Sequence, residues 1–217
     1  MRSGSACSKI ERPVTVLDRT AHEAPVRDLV AAGDLTRAAT AAIELYGGEL
    51  ASFLHALARD EDLANEAYAV TCEDLWRGLP GFRWGSSLRT WLYALARNAL
   101  YRLKRAPRRR ERGYVPLDLA KEVFDRAEQI RTATVDFLRT EVKDEVRRLR
   151  DALAPDDHEL LILRIDRKMS WREVAQAMPG DQDEPVDRRA AVLRKRFERA
   201  KTLLRTLAAE RGILVAE

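Results

Sequence analysis

The sequence predicts an all-α fold, with two small helical domains joined by a linker and a helix-turn-helix in the C-terminal one. Three observations carry that prediction. The 217 residues are 46% hydrophobic and 34% charged, with only 10 Gly and 8 Pro, a composition that favours helices with real cores. Apolar residues recur at helical spacing from Leu88 to Arg105 and again from Arg188 to Glu210, and no alternating strand pattern of any length appears. Capping and stop signals fall at the ends of those segments.

Taken in order, residues 1–25 contain Gly, Ser and Pro without periodicity and are expected to form a mobile tail. Residues 26–106 form the first domain. "VRDLVAAGDLTRAATAAIELYGGELASFLHALA" is helical with breaks expected near Gly33 and at Gly47–Gly48, and "DEDLANEAYAVTCEDLWRGL" continues until Pro80–Gly81 stops it. A loop follows from Phe82 to Gly85, and the hydroxyl of Ser86 or Ser87 suits an N-cap. In the next helix Leu88, Trp91, Leu92, Leu95 and Ala99 form the expected core stripe, with Thr90, Tyr93, Arg97, Tyr101 and Lys104 on the opposite side. Pro107 ends it. Residues 107–145 are the linker, opening on the basic "APRRRERGYVP" and holding helical stretches near 117–131 and 134–153.

Residues 146–217 form the second domain. Pro155 suits a first helical turn, and Asp156, Asp157 and Glu159 lie near the positive end of its dipole. "SWRE" is a capping box of Ser170 and Glu173. A polar turn, "PGDQDEPVD", precedes a long helix with an apolar stripe of Leu193, Phe197, Ala200, Leu204 and Leu207 and with Arg188, Arg194 and Lys195 outward.

Charge is distributed unevenly. Thr40 to Leu75 holds eight acids and one base, Trp76 to Arg112 eleven bases and one acid, and Arg188 to Arg205 eight bases and one acid. Two basic blocks suggest two contacts with a polyanion. No run of eighteen apolar residues spans a membrane and the first residues lack a secretory core, so a cytoplasmic setting is expected. Cys7 and Cys72 are too few and too distant for a disulfide framework or a metal site. His22, His55 and His158 accompany no nucleophile motif, and no phosphate-binding Gly loop appears, so neither an enzyme nor a cofactor is expected.

An aromatic and basic helix face beside a Ser/Gly loop suits a single-stranded nucleic acid. Rings stack on unpaired bases, Arg and Lys hold phosphates, and small residues let a flipped base approach the backbone. Trp84 is a candidate stacking residue or lid. In the C-terminal part, a short capped helix, a turn and a longer helix with basic residues at its start follow helix-turn-helix logic, in which the second helix enters a major groove.

The order "LWRGLPGFRWGSSLRTWLYALARNALYRLKR", linker, "ALAPDDHELLILRIDRKMSWREVAQAM…VLRKRFERAKTLLR" resembles the extracytoplasmic-function class of sigma-70-type sigma factors, over about residues 40–210. The resemblance implies that the first segment is region 2, which binds the β′ clamp of core RNA polymerase and opens the promoter −10 element. It implies that the second is region 4, which docks on the β flap and reads the −35 element as duplex. Phe82, Arg83, Trp84, Ser86 and Ser87 then lie where a flipped −10 base is captured, with Asn98 near that base and Arg89, Tyr93 and Arg97 at strand opening and backbone contact. Arg188, Arg189, Arg194 and Lys195 would face the −35 groove, and Glu66, Glu73 and Asp74 would meet the polymerase. The resemblance also admits an anti-sigma factor as partner. Two departures stand out: Ala69, Val70 and Cys72 replace the family's Gln, acid and aromatic in the clamp helix, and the acidic turn is about eight residues longer than usual. A DNA-binding regulator acting without polymerase and a polymerase-binding adaptor are the rival expectations.

Overall fold

The computed structural model describes residues 16–105, 117–140, 144–181 and 183–211. Among these the fold is all-α, as expected. The helices are α1 (Val16–Ala31), α2 (Leu35–Ala58), α3 (Glu61–Gly78), α4 (Leu88–Arg105), α5 (Leu117–Thr140), α6 (Asp144–Asp151), α7 (Pro155–Leu161), α8 (Trp171–Ala177) and α9 (Val186–Glu210), with a 3₁₀ turn at Leu79–Gly81 and a π turn at Ile162–Asp166.

Local chemistry sets the helix starts. The Asp34 carboxylate accepts from the Arg37 amide at 3.2 Å and begins α2; Asp60 accepts from the Leu63 amide at 2.7 Å and begins α3. Each satisfies an amide that would otherwise lack a partner in the first turn. Gly33, at φ 78°, supplies the left-handed residue that turns the chain from α1 into α2.

Three expectations for the N-terminal part are corrected. The tail expected to reach residue 25 is helical from Val16, and Val26 of α1 is fully buried against the core, while residues 1–15 lie outside the described residues. Gly47–Gly48 does not break α2, because both glycines lie where α5 passes close by. The linker region is not a free connector. Residues 106–116, with most of the basic run, lie outside the described residues, but α5 is one helix to Thr140 and packs along α2, burying Val123 and Ala127. A composition scan sees a charge-dense segment; the thin stripe of Val123, Ala127 and Ile130 decides its packing.

The two glycines make opposite predictions. Alanine gains about 1 kcal/mol over glycine inside a helix. A Cβ on Gly47 would sit 2.7 Å from the buried Tyr68 hydroxyl and within 3.3 Å of Ile43 and Ile130 methyls, whereas on Gly48 it would meet Thr134 at 3.4 Å. Overpacking costs roughly 1–3 kcal/mol. Gly47→Ala should therefore lower the urea midpoint and Gly48→Ala raise it. Shifts of the same sign would show that α2 and α5 are not this close.

The C-terminal helices add Leu160, Leu161, Ile162, Leu163, Met169, Val174 and Phe197 to the same continuous core, with an edge-on Trp171–Phe197 contact at 5.3 Å. The capping box forms: Glu173 N–H donates to the Ser170 hydroxyl at 3.3 Å, and Ser170 N–H donates to the Glu173 carboxylate at 2.7 Å. Along α9, Phe197 and Ala200 are buried and Leu193, Leu204 and Leu207 half-buried, the expected stripe.

Candidate nucleic-acid interface

Helix α4 begins where two independent caps meet. The Ser87 hydroxyl accepts from the Thr90 amide at 3.1 Å, one of the two serines expected in that role. From α1, sixty-five residues away, the Glu23 carboxylate accepts from the Leu88 amide at 2.9 Å and the Arg89 amide at 3.1 Å, and from the Tyr46 hydroxyl at 2.9 Å. Glu23 is 5% exposed. An anion against the free amides of a first turn is favoured both by the hydrogen bonds and by the helix dipole.

The loop before α4 is an aromatic stack. The Phe82 ring lies parallel to Trp91 with centroids 4.5 Å apart and 4.9 Å from Trp84, and the Arg27 guanidinium of α1 stands 5.5 Å over Trp84. Trp84 adopts φ 57°, a left-handed conformation that costs a bulky residue roughly 1–2 kcal/mol. Ring and cation contacts of about 0.5–1.5 kcal/mol each offset it. Trp91, expected in the core, is half-buried instead, because its ring leans against Gly78 and Phe82 at the surface. Asn98, two turns on along the same helical face, is exposed, as is Arg83; Ser86 and Ser87 are half-buried.

Of the face expected to point outward, Thr90, Tyr93 and Arg97 are buried, Tyr101 is half-buried and only Lys104 is exposed, and Arg89 beside them is buried too, since α4 is packed by α2 and α3 and also by α8 of the C-terminal part. Arg89 donates to Glu49 of α2 at 2.8 Å and to the backbone carbonyl of Arg167 at 3.0 Å. The Tyr93 hydroxyl donates to the same Glu49 carboxylate at 3.0 Å, and its ring meets Phe53 edge-on. Burial pushes the Tyr93 phenol well above its usual range. Arg97 donates from Nε to Glu159 Oε2 at 3.0 Å, with Oε1 at 2.8 Å, and stacks over Tyr101, which donates to Glu159 at 3.2 Å. Glu159 is fully buried, and burial lifts its carboxyl to about 7 against the opposing pull of Arg97 and the Tyr101 hydroxyl.

Of the acids expected to meet the polymerase, Glu66 is exposed, Glu73 is half-buried, and Asp74 accepts from Arg102 of α4 at 2.8 Å. On α9, Arg188, Arg194 and Lys195 are exposed, with Arg188 pairing to Glu184 and Arg194 lying 5.6 Å over Trp171. Arg189 differs. It donates to the carbonyls of Ala175 and Met178, closing the C-terminus of α8. Two of the four turn acids point at bases, Asp187 toward Arg172 and Glu184 toward Arg188, while Asp181 accepts from the Asp183 amide.

The structure thus gathers Phe82, Trp84, Ser86 and Ser87 at the start of α4 and leaves Arg83 and Asn98 open, but turns Arg89, Tyr93 and Arg97 inward. Sequence reasoning missed Glu23, Arg27, Glu49, Glu159 and Arg167. Each acts across 40 residues or more, where helical periodicity carries no signal.

No curated protein and no solved structure matches the chain. Residues 42–111, about a third of it, match the family model of sigma-70 region 2. The match contains α2 from Ala42, all of α3, the aromatic loop and α4. That part of the chain is thus similar to region 2 of the sigma-70 family, whose members work with RNA polymerase and promoter DNA.

Proposed function

We propose that the chain is a sigma factor of the extracytoplasmic-function type that confers promoter-specific initiation on core RNA polymerase. The Phe82–Ser87 loop and the exposed face of α4 capture unpaired bases of the −10 element, and α8, the turn and α9 read the −35 element as duplex. The observation that carries this is the region 2 match falling on the loop whose Phe82 stacks on Trp91 of α4 and meets Trp84 at a tilt, beside two serines. An aromatic cluster at the surface offers a platform for a base at about 1–3 kcal/mol per stack. On α9, Arg188, Arg194 and Lys195 are exposed to solvent, and Arg189 ties α9 to the end of α8. Acidic α3 supplies the polymerase contact through Glu66 and Glu73.

Run-off transcription with purified core polymerase and permanganate footprinting test this. Trp84→Ala with Asn98→Ala should abolish thymine reactivity in the −10 region while leaving polymerase association unchanged. Normal opening by that double variant would remove the loop from the mechanism, and no initiation by the unaltered chain at any promoter would remove the proposal.

A further inference from the structure

We propose that Arg189 is the positioning residue of the C-terminal helix pair: seated in the slot that Gly180 leaves open, it takes the place of a tight turn and sets the angle at which α9 presents Arg188, Arg194 and Lys195 to duplex DNA. The proposal rests on reading α9 as the helix that enters the −35 groove. A helix-turn-helix ordinarily joins its helices through a turn of about 3–4 residues, short enough to fix their angle by itself. Here α8 ends at Ala177 and α9 begins only at Val186. Beyond Met178, the backbone–backbone hydrogen bonds of this connection among the described residues run from Glu184 to Asp181 and from Arg188 and Arg189 to Pro185. None of these reaches back to α8, so the connection alone does not fix how the two helices cross.

Side chains of α9 supply what the connection lacks. Arg189 Nη2 donates to the Ala175 carbonyl and, at 2.8 Å, to the Met178 carbonyl. The partner that Ala175 would ordinarily have is the amide four residues on, but that residue is Pro179, which has no N–H to give. A cation at the C-terminus of α8 is favoured by the helix dipole as well. The slot is narrow: a Cβ on Gly180 would lie 2.7 Å from Cζ and 2.8 Å from Nη2 of Arg189, so a larger residue there drives the guanidinium off the carbonyls. The other end of α8 is tied too. Arg194 stands 5.6 Å over the ring of Trp171, the first residue of α8, and Trp171 meets Phe197 edge-on. Arg189, Leu193 and Phe197, spaced four apart, share one face of α9, which is turned to α8 and the core, while Arg188, Arg194 and Lys195 are exposed. A base contact needs placement within about 0.5 Å and 10–20°. Arg189 thus acts on recognition through the seating of α9, without touching a base.

The test uses the full chain assembled with core RNA polymerase and two variants, Arg189→Ala and Gly180→Ala. The second keeps every charge and only displaces the guanidinium, so the two should behave alike. The probe is the duplex upstream part of the promoter most active in run-off transcription with the unaltered chain. Gel shifts compare it with mixed-sequence duplex of equal length across a range of salt. Both variants should prefer the promoter duplex about tenfold less than the unaltered chain does, the loss of one good base contact. Their binding to mixed-sequence duplex, its salt slope and their helix content by circular dichroism should not change. A phosphate contact made by Arg189 would instead weaken both duplexes in Arg189→Ala alone and lower the salt slope by about 1, which overturns the proposal. Lost preference in one variant only or in neither, or lost helix content, overturns it as well. No preference in the unaltered chain would remove the −35 reading itself, and the proposal with it.

Discussion

Arg97→Ala is expected to destabilise the folded chain by about 3–5 kcal/mol at mildly alkaline pH, because it strands a fully buried carboxylate. Glu159 has no exposure to water, and its charged partners among the described residues are Arg97 and, more distantly, Lys104. With the guanidinium gone the carboxyl must either stay ionised in an apolar site or hold its proton. Its value, already lifted to about 7, then rises further. A folded-state value above the unfolded one gives stability that is complete at low pH and lost as pH rises. The deficit should accordingly be small in weak acid and grow through neutrality. Urea unfolding of Arg97→Ala at several pH values measures this, and the double variant with Glu159→Gln should recover most of the loss at high pH. A deficit below about 1 kcal/mol that does not vary with pH would show the pair to be solvated.

The second large effect is expected at Glu23. Glu23→Ala removes one acceptor shared by three donors, the amides of Leu88 and Arg89 and the hydroxyl of Tyr46. Each buried donor left without a partner costs roughly 1–3 kcal/mol. Water admitted to the gap will satisfy part of this, so a loss of about 3 kcal/mol is expected in urea unfolding. Glu23→Gln keeps one oxygen acceptor and should lose less than half as much. Hydrogen exchange supplies a local readout: the Leu88 and Arg89 amides should exchange faster in the alanine variant while amides in mid-α4 stay protected. Equal losses in both variants would mean that the carboxylate only fills space.

Much of the fold was legible because its signals are local. The capping box at Ser170, the Ser87 cap, the stop at Pro80–Gly81 and the stripe of α9 each depend on residues within a turn or two of one another. Where the sequence was misread, a distant partner had decided the outcome. Tyr93 and Arg97 have the phase of a surface face, and without Glu49 and Glu159 they would form one. Gly47 and Gly48 look like a break until α5 is known to cross there. Residues 16–25 lack periodicity, yet a single carboxylate among them holds the start of α4. At the candidate site the loop residues were found from their chemistry. The acids that hold its arginines were not, since a glutamate in a helix's first turn is already explained by the dipole.

The neighbours His158 and Glu159 of α7 give the folded chain an unusual relation to acidity. Among Arg59, Arg150, Asp151 and Asp166, with burial the largest influence, His158 falls from 6.5 to about 4, while Glu159 climbs from 4.5 to about 7. The histidine favours the folded state above 6.5 and withdraws that support as pH falls to about 4; the glutamate favours it below 4.5 and withdraws as pH rises to about 7. Between 4.5 and 6.5 the two slopes are equal and opposite, since the folded chain keeps on Glu159 the proton that the unfolded chain keeps on His158. One proton changes its address and none is exchanged with solvent. A drop in pH across that interval therefore changes the stability of the folded chain little through these two groups.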